Sequence, residues 1–322
     1  MKKRALLLSS IILLASCSNE KKVLSYSLSP FGYNESFLYV PCVIENDEIV
    51  KKPMITNHFG TMILIKSYLY ESEKNEYEYL LDKIDEKLTR LSVCFDRHSL
   101  YVDKNNKLVK NLAYLNMNYG VDSYIELEKE TYDLLKIGYE LTILTEGKFN
   151  IFVGELSPLW DNYIKKGLEK PTDEQIDNAK FTKEEYAKLD KVLEFDDSTN
   201  SVKFNKLDDK KLSITFGGIA KGRATDLLNE FLVNKRILVS AGQSSIASYG
   251  DTFHDSWALG IKNPATASFD DESYLLYEKQ GAFSVSTSGD YQSYIIDSEG
   301  NRYHHIIDCF SGYPSSYYRS VT

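Results

Sequence analysis

Residues 217–226 read Gly-Gly-Ile-Ala-Lys-Gly-Arg-Ala-Thr-Asp, with two glycines leaving a β-rich stretch just before a helical one. Glycine lets a backbone approach a ligand closely, and a helix N-terminus offers unpaired N–H groups to an anion. Lys221 adds a point charge suited to phosphate. The spacing is neither that of a P-loop nor G-x-G-x-x-G, so the segment alone is either an anion cradle or a tight turn with a solvated lysine. A second polar loop, Ser286-Thr287-Ser288-Gly289-Asp290, sets hydroxyls, a glycine and an acid between two expected strands. It could hold a phosphate or a ring edge, or simply turn the chain. The third segment is His304-His305-Ile306-Ile307-Asp308. Strand alternation puts His304 and His305 on opposite faces, with Ile307 beside His305. One histidine can therefore face a site as a proton acceptor, or both can be structural.

The elements that must position these segments follow from periodicity. Residues 60–68 are rich in β-formers and read as a strand. Tyr77, Leu80, Leu81, Ile84, Leu88 and Leu91 recur at helical spacing, so residues 73–92 form an amphipathic helix. A second helix spans 126–145 with Gly147 as its stop, and Thr182 with Glu185 fits a capping box. Residues 191–195 and 201–204 form a hairpin, 212–216 a short strand and 221–233 a helix. Strands follow at 237–240, 257–261, 274–277, 283–285, 291–296 and 303–307. The fold class is α+β, a mixed single body with helices early and mostly strands late.

Composition narrows the class. The 322 residues carry 38 Lys+Arg against 47 Asp+Glu, for a net charge of −9, which argues against nucleic acid as the main partner. Four cysteines exclude a disulfide scaffold, and Cys42, Cys94 and Cys309 have no metal-ligand spacing and read as isolated thiols. The chain opens with Lys2, Lys3 and Arg4, then an apolar run from Ala5 to Ala15. That run is too short to span a hydrocarbon core of about 30 Å. It reads as a signal peptide over 1–16, ending in small residues just before Cys17. The pattern resembles a bacterial lipoprotein signal, which implies lipidation of Cys17 and an extracytoplasmic, membrane-anchored location. Residues 17–54, with Pro30, Gly32, Pro41 and Pro53, read as a tether and irregular lead-in, leaving 55–322 as the functional domain.

Taken together the segments are far more specific than singly. Asn57-His58-Phe59-Gly60-Thr61, Arg90 to Asp96, Leu115-Asn116, Gly147 to Trp160, Gly217–Asp226, Ala241-Gly242, Trp257 to Pro264, Thr287–Asp290 and His305–Pro314 follow one another in register. In that order they resemble the bacterial FAD:protein FMN transferases, the ApbE-like flavin transferases. The resemblance implies an enzyme that binds FAD, uses Mg²⁺ and moves FMN onto a Thr or Ser hydroxyl of an exported or membrane acceptor protein, releasing AMP. It implies flavin contacts at Phe59, Lys148, Phe149, Asn150, Thr215, Lys221, Asp226, Thr287 and Ile307. It further implies a metal ligand in the Gly218 carbonyl and a catalytic base in His305.

Several positions depart from the pattern. Thr215-Phe216 stands where the family has Asp-Leu, so one cofactor contact changes. Asp308-Cys309-Phe310-Ser311-Gly312 replaces Asp-Pro-x-Thr-Gly, and Gln243 replaces a second glycine. The family's Asp and Thr metal ligands would fall beyond Thr322, so the resemblance implies a domain cut short at its C-terminus with an incomplete metal site. Two other readings stand beside transfer: a flavin-binding lipoprotein or FAD-hydrolysing relative with impaired transfer, and a solute-binding lipoprotein, which leaves the glycine and histidine segments unexplained.

Overall fold

A computed structural model describes residues 21–28, 39–45, 48–51, 58–253, 256–265 and 274–322, the first three stretches as backbone only. Cys17, the signal segment 1–16 and Asn57 lie outside the described residues.

The frame is a five-stranded antiparallel sheet in the order Lys21–Leu28, Ile63–Tyr70, Ile237–Ala241, Ser245–Ser248, Phe283–Ser286. Alternation along Ile63–Tyr70 aims Ile63, Ile65 and Leu69 at one face, where Tyr77, Leu80, Ile84, Leu88 and Leu91 of the helix Lys74–Phe95 cover them. The main core is built there and extends to the Lys129–Leu144 helix through Leu134 and Leu135. Tyr68, Leu238 and Trp257 make a smaller cluster on the opposite face, under the Trp257–Ile261 and Leu275–Lys279 hairpin. Two lesser sheets flank the body. One orders Glu48–Lys51, Tyr39–Glu45, Leu100–Asp103 and Leu108–Val109; the other orders Ile125–Glu126, Ser201–Phe204 and Leu193–Asp196.

Four expectations are corrected. The stretch read as irregular lead-in contains three strands, and Lys21–Leu28 is an edge of the central sheet, paired from Lys21↔Tyr70 to Leu28↔Ile63. An edge strand is held by main-chain bonds to one neighbour and needs no apolar alternation, so periodicity does not reveal it. Residues 212–216 form no ladder beyond a single bridge, Ser213 to Val153. Asn116 takes the place of a strand partner, accepting from the Ile214 N–H at 2.8 Å and donating to its carbonyl at 3.0 Å. The helix expected over 221–233 divides into Ala220–Leu227 and Asn229–Leu232, because the Leu228 and Phe231 N–H groups bond three residues back and tighten the turn. The strand expected over 303–307 is Arg302–His304, since the Ile306 N–H donates to His304 Nδ1 and leaves the ladder.

The Thr182 capping box and the 191–204 hairpin form as expected. Cys94 and Cys309 are free and buried, and burial pushes the Cys94 thiol up to about 12.

Candidate functional site

The antiparallel register sends three loops to one end of the central sheet. Gly60–Met62 precedes Ile63, Gly242–Ser244 follows Ala241, and Thr287 follows Ser286. They interlock: the Gly242 N–H donates to the Met62 carbonyl at 3.0 Å, and the Thr287 N–H to the Ser244 carbonyl at 2.9 Å. A Cβ on Gly242 would run into the Thr61 hydroxyl, so only glycine permits this approach, at a φ of +65°. Gln243 also sits at positive φ, 62°, the conformation for which the family's second glycine is suited.

Phe59 opens the first loop in a left-handed conformation (φ 53°, ψ 27°) within the turn His58–Gly60. His58 Nε2 meets Asp85 at 3.1 Å and ties that turn to the long helix. The Phe59 ring lies 6.3 Å from Phe95, and Phe95 meets Phe216 edge-on at 5.8 Å. This aromatic run joins the first loop to the glycine turn, because Gly217 directly follows Phe216.

Thr215 is fixed by its N–H to the Ile151 carbonyl at 2.8 Å, and its hydroxyl accepts from the Gly217 N–H at 3.2 Å. The residue that departs from the family's Asp thus shapes the turn itself. Gly217 and Gly218 are exposed, and a Cβ on Gly218 would press on the Phe149 ring. Lys221 follows in the first turn of the Ala220–Leu227 helix. Burial alone pulls its ammonium below the ordinary lysine value of 10.5, and among the described residues no carboxylate pairs with it. A partly desolvated cation with no described counter-ion, beside exposed backbone glycines, is a place for an anion. Asp226, in the last turn of that helix, is exposed and lies toward the far end from the glycines.

The 147–150 loop packs against the same turn through Phe149. Lys148 is exposed and Asn150 is buried, its Oδ1 accepting from the Phe152 N–H at 2.9 Å. Sequence alone left Cys309 unexplained. Its thiol donates to the Gly147 carbonyl at 3.2 Å and lies 3.7 Å from Asn150 Nδ2, clasping the loop from outside. Burial raises its pKa, so it stays a thiol. Ile307 bridges to Pro314 and packs beside Trp160, Leu156 and Ile176.

The histidines divide into one buried and one exposed, although the strand expected to alternate them ends at His304. His304 is buried, its Nε2 bonds the Ser315 carbonyl at 2.9 Å, and burial lowers its pKa, so it holds the fold as a neutral ring. His305 is exposed, and its Nδ1 lies 3.4 Å from the Ser293 carbonyl. That bond ties it to the segment before Tyr294 and not to the glycine turn. The fold therefore brings Phe59, Thr215, Gly218, Lys221 and Phe149 into one connected patch, with Thr287 on the adjoining loops and Thr287 Oγ1 3.0 Å from Thr322 Oγ1. His305 stands instead against Ser293, and Ile307 packs with Trp160, on the chain that carries Cys309. Thr61, Asn116 and Cys309 also shape the patch. All three lie inside segments that the sequence singles out, but their contacts there do not follow from spacing.

The Mg²⁺ that the resemblance implies does not find a donor set here: among the described residues no three His, Cys, Asp or Glu side chains converge to hold a metal.

Comparison with known proteins gives the family and the fold. FAD:protein FMN transferases of Klebsiella pneumoniae and Vibrio cholerae are 26% and 28% identical to the chain over 193 and 189 residues, which are 59% and 58% of it. The chain spans about half the length of these curated relatives, 55% and 52%. The crystal structure of the ApbE protein of Thermotoga maritima superposes with a TM-score of 0.62 at 27% identity, over 82% of this chain and 78% of that one. The flavinyl transferase ApbE of Pseudomonas stutzeri shares the fold with a TM-score of 0.59 at 19% identity, over 92% and 77% of the two chains. The model of the ApbE family matches residues 59–322, from the strained Phe59 through the glycine turn to the final residue, and the chain belongs to that family.

Proposed function

We propose that the chain is an FAD:protein FMN transferase, binding FAD at the glycine turn and passing FMN to a Thr or Ser hydroxyl of an acceptor protein. The observation that carries this is Lys221: a half-buried ammonium that no described carboxylate neutralises, set at a helix start beside Gly217 and Gly218. A pyrophosphate there would receive the ammonium and the turn's N–H groups. Phe59 and Phe149, flanking the turn, offer ring faces for the isoalloxazine.

In the transfer, the acceptor oxygen bonds to the FMN phosphorus as the bond from that phosphorus to the AMP oxygen breaks. Negative charge grows on the phosphate oxygens and the leaving AMP, where Lys221 counters it. His305, exposed and free to meet a protein substrate, takes the hydroxyl proton. FAD and acceptor thus give FMN-acceptor, AMP and a proton. A Mg²⁺ requirement belongs to this reading through the family resemblance.

We also assign Cys17 as a lipid-bearing residue on an extracytoplasmic, membrane-attached protein. The basic opening, the short apolar run and the small residues before Cys17 support this. Among the described residues no helix is long and apolar enough to cross a membrane. Thr215, standing where the family has Asp, leaves one second reading, a protein that binds FAD without transferring it.

Incubation with FAD, Mg²⁺ and an acceptor protein separates the two. Transfer predicts a fluorescent acceptor band in a denaturing gel and AMP in solution. FAD bound with neither product supports the second reading, and no FAD binding overturns both.

A further inference from the structure

The central sheet has a second end, and the chain enters the fold there. Lys21 pairs with Tyr70, Ile237 with Ser67, and Ser248 with Phe283, so these residues stand together away from the glycine and hydroxyl loops. The Lys21–Leu28 strand begins four residues after Cys17. An extended chain advances at most ~3.6 Å per residue, so the Cys17 backbone stays within about 14 Å of Lys21. Along Ile63–Tyr70, a rise of ~3.3 Å per residue separates the two sheet ends by about 23 Å. A lipid on Cys17 would therefore be a short tie at one corner of a rigid sheet.

We propose that the Tyr70 end of the sheet rests on the lipid headgroups and the Lys221 end faces away from the bilayer, about 23 Å further out. This rests on the assignment of Cys17 as a lipidated residue. The surface at that end suits a headgroup layer. Tyr70, Tyr79 and Val233 are exposed by 37%, 61% and 53%. Tyrosine, apolar in body and polar at its tip, favours the membrane–water boundary. Lys235 and Arg236 are paired with Glu76 and Glu73, so contact does not depend on anionic lipid. The consequence for the partner is definite: an acceptor must present its hydroxyl well above the headgroups, on a segment that projects from the membrane.

The test uses the processed full chain in phosphatidylcholine vesicles with brominated acyl chains, which quench nearby tryptophan. Val233→Trp and Tyr79→Trp report the proposed contact end. Met62→Trp reports the opposite end, where Met62 is 48% exposed. The native Trp160 and Trp257 are buried and give a common background. Strong quenching of the first two variants with none for Met62→Trp is expected. Equal quenching at both ends, or quenching of Met62→Trp alone, overturns the orientation while leaving the anchor intact. Mass spectrometry of the processed N-terminus and vesicle flotation report the anchor separately. An unmodified Cys17 with no flotation removes the anchor, and this proposal with it.

Discussion

The two ends of the central sheet are built from different chemistry. At one end, Gly242 closes against Thr61, the exposed Gly217-Gly218 turn lies beside Phe149, and Lys221 stands partly desolvated without a described counter-ion. At the other, Arg236 lies 5.2 Å from the Tyr70 ring and 4.8 Å from Phe253, with its charge met by Glu73. That end also holds a shallow cavity of about 340 Å³ lined by Tyr70, Asn234, Arg236 and Phe253. Both ends carry a cation drawn partly out of water, yet among the described residues only Arg236 meets a carboxylate. Charge that the fold satisfies itself stabilises structure, whereas charge that it leaves open is available to a ligand.

The comparison can be broken experimentally. The largest effect is expected for His305→Ala, which should lower transfer by about 10²–10⁴-fold while FAD binding stays unchanged. Wild-type transfer rates in that variant would remove His305 as the base. Lys221→Ala should weaken FAD binding by about ten- to a hundredfold, the loss expected for a charged hydrogen bond of ~1.5–3 kcal/mol. The sign of its pH dependence follows from burial. The ammonium is cationic below its lowered pKa, so FAD affinity is full there and falls as pH rises through it, at a pH below 10.5. Titration of FAD fluorescence against pH checks this, and Lys221→Arg should abolish the fall.

Gly242→Val should cost about 1–3 kcal/mol of stability, measured by denaturant unfolding, because a side chain there meets Thr61 at a positive φ. Arg236→Ala should cost about 1–2 kcal/mol, since it removes bonds to Glu73 and the Tyr68 carbonyl, and should leave transfer untouched. The smallest effect has the opposite sign. Gln243→Gly should stabilise by about 0.5 kcal/mol, since glycine adopts the φ of 62° without strain but loses more chain entropy on folding.

The comparison also shows what a sequence can and cannot say. The Gly217–Lys221 turn was legible because its chemistry is local: two glycines, a lysine and a helix start within five residues. The inward turn of His304 and outward turn of His305 match the sequence reading, although the ladder ends at His304 and His305 lies in the bend after it. The meeting of Thr61 with Gly242 was not, because it depends on the register between strands far apart in sequence. Cys309 looked idle for the same reason, since its partners Gly147 and Asn150 lie more than 150 residues upstream. The Lys21–Leu28 strand escaped notice because main-chain bonds specify it, and main chain has no sequence signature.

The most direct measurement is mass spectrometry of an acceptor protein after incubation with FAD and Mg²⁺ and wild-type, Lys221→Ala or Arg236→Ala protein. Wild type and Arg236→Ala should add the mass of FMN to the acceptor at similar rates, and Lys221→Ala should add far less at the same FAD concentration. An acceptor left unmodified by the wild type, or modified equally by all three, would contradict the placement of flavin transfer at the glycine end of the sheet.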